Sequence, residues 1–348
     1  MGRARRSNMF SDRRRNARGI ARAITLAVVI GLLVIFGGAI WLFSFATAPI
    51  DVPDQKLYFN IDRGLGVGQV ARKLEAAGLV TDAPAFIALV RLMGKSSDIM
   101  AGSYMAQDSV TPLRLIDMLT RGEFAQGQVR FIEGWTFRQL REAMDANPAL
   151  THDTEGWSDR EILAHLGVEE THPEGLFFPD TYHFSAGTSD LTILRHAYDK
   201  MHRVLDEAWE NRASNLPVKT KYQGLILASI VEKETGDPSE REMVAAVFVN
   251  RLRKGMRLQT DPTVIYGLGE SFDGNLRKRD LLADQPYNTY TRYGLPPSPI
   301  ALPGEAAIRA TFQPAQTSAL YFVSKGDGTH YFSNSLKEHN RAVDRFQR

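Results

Sequence analysis

Between Ala23 and Ile50 the chain carries no charged side chain, and the 22 residues before that stretch hold eight arginines against one acid, Asp12. A helix over residues 23–45 would measure roughly 34 Å at about 1.5 Å per residue, enough to cross a hydrocarbon core of about 30 Å. Trp41, Phe43 and Phe45 stand where an interfacial aromatic belt belongs, and the arginines on the other side place the N-terminus in the cytoplasm. A cleaved signal peptide is the competing reading, since Ala46-Thr47-Ala48 resembles a processing site. Signal-peptide apolar cores run to about 15 residues, and this one is longer, so it reads as a retained anchor. The paired arginines also admit a twin-arginine export signal, which so long an apolar run argues against. On any of these readings the body lies outside the cytoplasm.

The tail dominates the charge balance. The net charge is +2, and with +7 in residues 1–22 everything after residue 50 comes to −5, which speaks against a nucleic-acid-binding body. The chain has no cysteine, which excludes disulfide frameworks, thiolate metal sites and thiol nucleophiles. With 43% apolar residues it can bury a large core.

After a short linker (46–54) a strand, a turn and an amphipathic helix recur three times, at 57–78, 102–122 and 129–145, the pattern of an α+β fold rather than a solenoid. Gly64, Gly66 and Gly68 lack the spacing and the downstream acid of a dinucleotide site, and read as the turn into a helix over 67–77. Residues 146–172 read as a polar surface insertion with one helix, 158–166, opened by a Ser158/Glu161 capping box. His152, His165, His172, His183 and His196 lack the spacing of a helical metal site; no metal and no cofactor are expected.

The stretch 173–184 brackets Leu176, Phe177 and Phe178 with two acids. Asp180 fits a turn after a buried strand, and Glu174 the wall of a site. A helix over 224–235, stopped at Gly236, carries Leu227, Ile230 and Val231 on one face, and Glu234 falls on that face at i+7, i+4 and i+3. Desolvation there, and the negative end of the helix, both disfavour a carboxylate, so Glu234 fits a general acid. An ion-paired Glu234 with a lowered pKa fits the window equally well. Glu232 points nearly the opposite way and joins the substrate-contacting set. A capping box at Ser239/Glu242 opens the next helix, to about residue 253. Gln259, Asp261 and Tyr266, then Tyr287, Asn288, Thr289 and Tyr290, combine aromatic rings with amides and hydroxyls as a sugar-binding cleft does. The C-terminus reads as strand, Asp327-Gly328 turn, strand and helix; His330, His339 and Asn340 are within reach of the cleft, though their spacing does not require it.

The segments at 174–182, 228–236, 247–269, 287–304 and 321–340 (among them EGLFFPDTY, ASIVEKETG and YNTYTRYGLPPSPIALPG), taken in order, closely resemble the YceG-like family of membrane-anchored endolytic murein transglycosylases. The resemblance implies an inner-membrane, single-pass protein with a LysM-like subdomain over 55–125 and a periplasmic catalytic domain over 126–348. It also places the catalytic glutamate at Glu234. The implied reaction is non-hydrolytic cleavage of the β-1,4 bond between N-acetylmuramic acid and N-acetylglucosamine, leaving a 1,6-anhydro end. Peptidoglycan glycan strands are the implied substrate, with peptidoglycan synthases as neighbours and strand termination as the role. Competing readings are a muramidase-type hydrolase with Asp261 or Asp180 as second carboxylate, and a tethered glycan-binding protein without chemistry. A pyridoxal-phosphate lyase on Lys233 has little support, because no phosphate cup stands out.

Overall fold

The structure, a computed structural model, describes residues 5–52 and 56–347. The ends of the basic tail and of the linker lie outside these, as do the tail's arginine side chains. The fold is mixed α+β, in two compact units, Met1–Ala125 and Gln126–Arg348.

The first unit opens with α1 (Arg5–Thr47), one helix running through the apolar segment. Among the described residues it is the one helix long and apolar enough to span a bilayer, over Thr25–Thr47. Then come β1 (Lys56–Ile61), α2 (Val67–Ala76), α3 (Ala83–Leu92), β2 (Gly102–Gln107) and α4 (Pro112–Arg121). β1 and β2 pair antiparallel, with Phe59 opposite Tyr104. Asp82 and Thr111 cap α3 and α4 by accepting the Ala85 and Arg114 N–H groups, and Gly122 ends α4 in the left-handed conformation that glycine adopts freely. Val70, Leu74, Phe86, Tyr104, Leu115 and Leu119 form the core. Ala46, Ile50 and Val52 are buried in the same core, and Ile50 bridges to Val110. The described part of the expected linker is therefore packed structure.

The second unit contains β3 (Gln126–Arg130), α5 (Phe137–Asp145), β4 (Leu150–Thr151), α6 (Asp159–Leu166), β5 (Thr181–Ser185), β6 (Thr188–Ser189) and α7 (Asp190–Glu210). It continues through α8 (Lys221–Glu234), α9 (Arg241–Arg253), α10 (Asp261–Leu268), α11 (Lys278–Leu282) and α12 (Glu305–Phe312), and closes with the hairpin β7 (Tyr321–Ser324)–β8 (His330–Ser333) and α13 (Leu336–Phe346). The third strand–helix copy belongs here, β3 pairing antiparallel with β5. Residues 146–172 lie mostly at the surface, as the sequence suggests, but they are tied into the unit rather than loosely inserted. The Ser158 capping box forms, but β4 pairs in parallel with β6, Ile162, Leu163 and Leu166 are buried, and the Thr154 backbone and hydroxyl donate to buried Asp190. A largely exposed polar segment is thus anchored by a few apolar side chains and by one buried polar contact whose groups are all partnered.

α8 is the centre of this unit, and every residue from Gly224 to Val231 is buried. It packs against α7, α9, α10 and α12, so the single apolar face read from the sequence is in fact a helix enclosed all round. The Phe312 ring of α12 lies on Gly224, where a Cβ would come within 2.1 Å of it. The segment 173–180 is buried coil, not strand, and Glu174 ties it down. Its carboxyl accepts the Phe137 N–H at the start of α5 (2.9 Å) and the Tyr266 hydroxyl (3.1 Å). Burial pushes the Glu174 carboxyl up to about 7 against these hydrogen bonds.

Gly224→Ala gains helix propensity yet collides with Phe312; equilibrium denaturation is expected to show a net loss of about 1–3 kcal/mol. In the unfolded chain Glu174 returns to its ordinary value near 4.5, so the folded state holds this proton more tightly. The resulting stability is complete below about pH 4.5 and is lost as the pH rises through about 7, amounting to about 3 kcal/mol at about 1.4 kcal/mol per pH unit. Denaturation profiles of wild type and Glu174→Gln at pH 4.5 and 8 should differ by that margin in pH dependence.

Candidate active site

Thr220 caps α8 by accepting the Gln223 N–H, and the helix runs to Glu234, where Thr235 turns to extended backbone. The stop therefore falls at Thr235 rather than at Gly236. This sets the Glu234 carboxyl at the negative end of a fully packed helix. Desolvation raises its pKa, with the nearby Asp261 charge acting in the same direction; the Thr260 hydroxyl, which donates to Oε1, pulls it down, as do His330 and Arg251 from further away. Among the described residues Glu234 has no ion-pair partner within 4 Å. Of the two readings the sequence left level, the structure matches the desolvated acid.

The partner hydroxyl is itself held. Thr260 lies at the N-terminus of α10, its N–H donated to Thr289 Oγ1 (3.1 Å) and its carbonyl accepting the Thr263 hydroxyl (2.8 Å). Thr263 and Thr289 hydroxyls meet at 2.9 Å. Gln259, just before, sits at φ +51°, a left-handed conformation that costs a non-glycine residue about 1 kcal/mol. The strained residue and the threonine cluster together fix the loop that faces Glu234.

Glu234, Gln259, Thr260, Asp261 and Tyr290 line a cleft of about 570 Å³, in which the Tyr290 hydroxyl donates to Asp261 at 2.6 Å. The other expected contacts lie elsewhere. Glu174 and Tyr266 line a separate cavity of about 1130 Å³, together with Trp157 and Phe272. Tyr287 packs edge-on against Tyr266 at 4.9 Å and shares a 2.7 Å hydrogen bond with Ser298. Asn288 is fully buried, donating to carbonyls of α11, among them Leu281, and of Ala283; Thr289 lies behind Thr260. Glu232 is half-buried outside the cleft and accepts the Gly304 N–H at 3.0 Å. Asp180 pairs with Lys200, away from Glu234. Ser239 donates to Asp237 instead of capping α9.

The remaining wall comes from α9 and the C-terminal hairpin and helix. His330, His339 and Asn340, which the sequence put only within reach, line the cleft with Arg251 and Tyr321. Arg251 went unnoticed, although the signal that picked out Glu234 applies to it. It stands at i+7, i+4 and i+3 from Val244, Val247 and Phe248 on a buried face.

The YceG-like family model matches residues 59–345. The endolytic murein transglycosylase of Bacillus subtilis (strain 168) is 30% identical over 90% of this chain and 91% of its own length. The protein of the same name from Streptococcus pneumoniae (strain D39) is 25% identical over 92% of this chain and 65% of its own length. A crystal structure of a yceG-like protein from Listeria monocytogenes superposes with a TM-score of 0.54 at 27% identity, covering 82% of this chain and 98% of that one. Matched by the family model over most of its length and across both compact units, the chain belongs to the YceG-like family.

Proposed function

We propose that this protein is a membrane-anchored endolytic lytic transglycosylase that cleaves the β-1,4 bond between N-acetylmuramic acid and N-acetylglucosamine in peptidoglycan. The observation that carries the reading is the Glu234 carboxyl, desolvated, free of any ion pair among the described residues, and facing a cleft lined by Tyr, Thr and Gln. The names of the relatives support the substrate.

Because Thr260 holds Oε1, Oε2 is the oxygen left to carry the proton toward substrate. Glu234 protonates the leaving glycosidic oxygen as positive charge develops at the muramoyl C1. As a carboxylate it then takes the proton of the 6-hydroxyl while that oxygen bonds to C1, closing the 1,6-anhydro ring. Thr260 stabilises this transient carboxylate, so the hydrogen bond that lowers the resting pKa also serves the second half of the reaction. Gln259, Asp261 and Tyr290 are the substrate contacts nearest the acid. Glu174 and Tyr266 with their cavity, and Glu232, Tyr287, Asn288 and Thr289, support that surface from further out.

The arginine-rich tail puts the N-terminus in the cytoplasm and the catalytic unit on the periplasmic side of the inner membrane. The domain limits are tail 1–22, membrane span 23–45, LysM-like module 55–125 and catalytic domain 126–348, with the described part of 46–54 packed onto the module's core instead of forming a free linker. The strand–helix–helix–strand order and antiparallel pairing of β1 and β2 support the LysM-like reading. Termination of nascent strands beside peptidoglycan synthases fits such a location.

A hydrolase is the second reading, favoured by one observation: Asp261 lines the same cleft. Mass spectrometry of digested glycan decides, since 1,6-anhydro ends mark the transglycosylase and reducing ends the hydrolase. Glu234→Gln is expected to lower turnover by about 10²–10⁴-fold; turnover within tenfold of wild type would remove Glu234 from the mechanism. Because protonated Glu234 is the active form, kcat/KM falls as the pH rises through its pKa. Thr260→Val removes a hydrogen bond that favours the charged form, and pH–rate profiles should show that alkaline limb displaced to higher pH.

A further inference from the structure

Arg251 has no part in the proton transfers, yet it is a charged residue only 8% exposed that reaches the cleft. Its Nε donates to the Leu320 carbonyl (2.6 Å) and its Nη1 to that of Leu258 (2.7 Å), which locks the guanidinium plane. Nη2 makes no hydrogen bond among the described residues and is not sealed from solvent. The Tyr321 ring lies 5.1 Å from the guanidinium carbon and stacks on the His339 ring at 5.2 Å. Arg251 and His339 are thus held against one aromatic plate. His339 Nδ1 is buried without a partner, while its Nε2 is not buried. Desolvation, with Arg251 assisting, pulls the His339 pKa down, so the ring is neutral and the tautomer with N–H on Nε2 turns its donor to the cleft. His330, the other imidazole of the cleft, has its Nδ1 occupied by Glu240 at 2.8 Å, which compensates charge there. Asp261 also faces the cleft, but holds the Tyr290 hydroxyl.

We propose that Arg251 Nη2 and His339 Nε2, aligned on Tyr321, form a carboxylate-recognition site for the acidic substituent of the muramoyl residue beside the scissile bond. The inference rests on peptidoglycan being the substrate. A fixed cation with two unused N–H groups and an adjacent neutral donor match a planar anion and have no matching partner on an uncharged sugar. The carboxylate comes either from the stem peptide or from the lactyl group exposed when that peptide is removed.

The test uses the full chain in detergent and uncrosslinked glycan strands in four forms: peptide-bearing, stripped by an amidase, and each of these two with its carboxylates converted to methylamides. Wild type is expected to show a KM about tenfold higher on methylamidated strands, with kcat changed by less than about twofold. A rise on stripping assigns the site to the peptide; a rise only when stripped strands are methylamidated assigns it to the lactyl group. His339→Phe keeps the stack on Tyr321 and removes an unpaired buried nitrogen, so it should fold; it and Arg251→Lys should narrow the ratio between native and methylamidated strands. Equal KM values for native and methylamidated strands in wild type overturn the proposal and leave the lytic reading intact. Absence of cleavage on every form overturns the lytic reading, and this inference with it.

Discussion

A carboxyl group at the end of a helix that is buried on every side has little freedom to find water, and the catalytic unit is arranged around that restriction. α8 is enclosed by four other helices, and the Phe312 ring fits directly onto Gly224. Packing of this kind fixes the helix axis, and the axis fixes where Glu234 emerges. The energetic penalty for charge at that point, from lost hydration and from the helix terminus, raises the pKa of the group. A single threonine hydroxyl tempers the penalty, and the cluster of Thr260, Thr263 and Thr289 spends buried hydroxyls on holding that one donor in place.

Much of this was legible before any coordinates. The anchor, the strand–helix copies and the C-terminal hairpin follow from local periodicity, which depends only on neighbours along the chain. Glu234 was visible because a charged residue on an apolar helical face is a local anomaly. What could not be read were facts of enclosure. The sequence shows one greasy face of α8, whereas its other sides are covered by residues distant in the chain. Asn288 and Thr289 have the chemistry of sugar contacts, but they spend it on backbone carbonyls and on Thr260. Most of the polar stretch 146–172 is solvated, as it reads, but its tie to the core could not be read because the partner of Thr154, Asp190, lies 36 residues further on.

α10 joins two environments. Its first residue, Asp261, borders the cleft of Glu234, and Tyr266, one turn further on, closes the cavity that contains Glu174. Two of the acids raised by burial thus stand near the same eight-residue helix in different settings. Glu174 is satisfied by a backbone N–H and a phenol and stabilises the chain's path; Glu234 keeps one oxygen uncommitted. On the proposed mechanism, availability of that oxygen, rather than acidity alone, sets Glu234 apart from Glu174.

The packing of Ala46, Ile50 and Val52 into the core of the first unit bears on reach. A tether whose last turn is welded to the domain it carries has almost no slack, so the first unit must turn with its long helix instead of swinging from it.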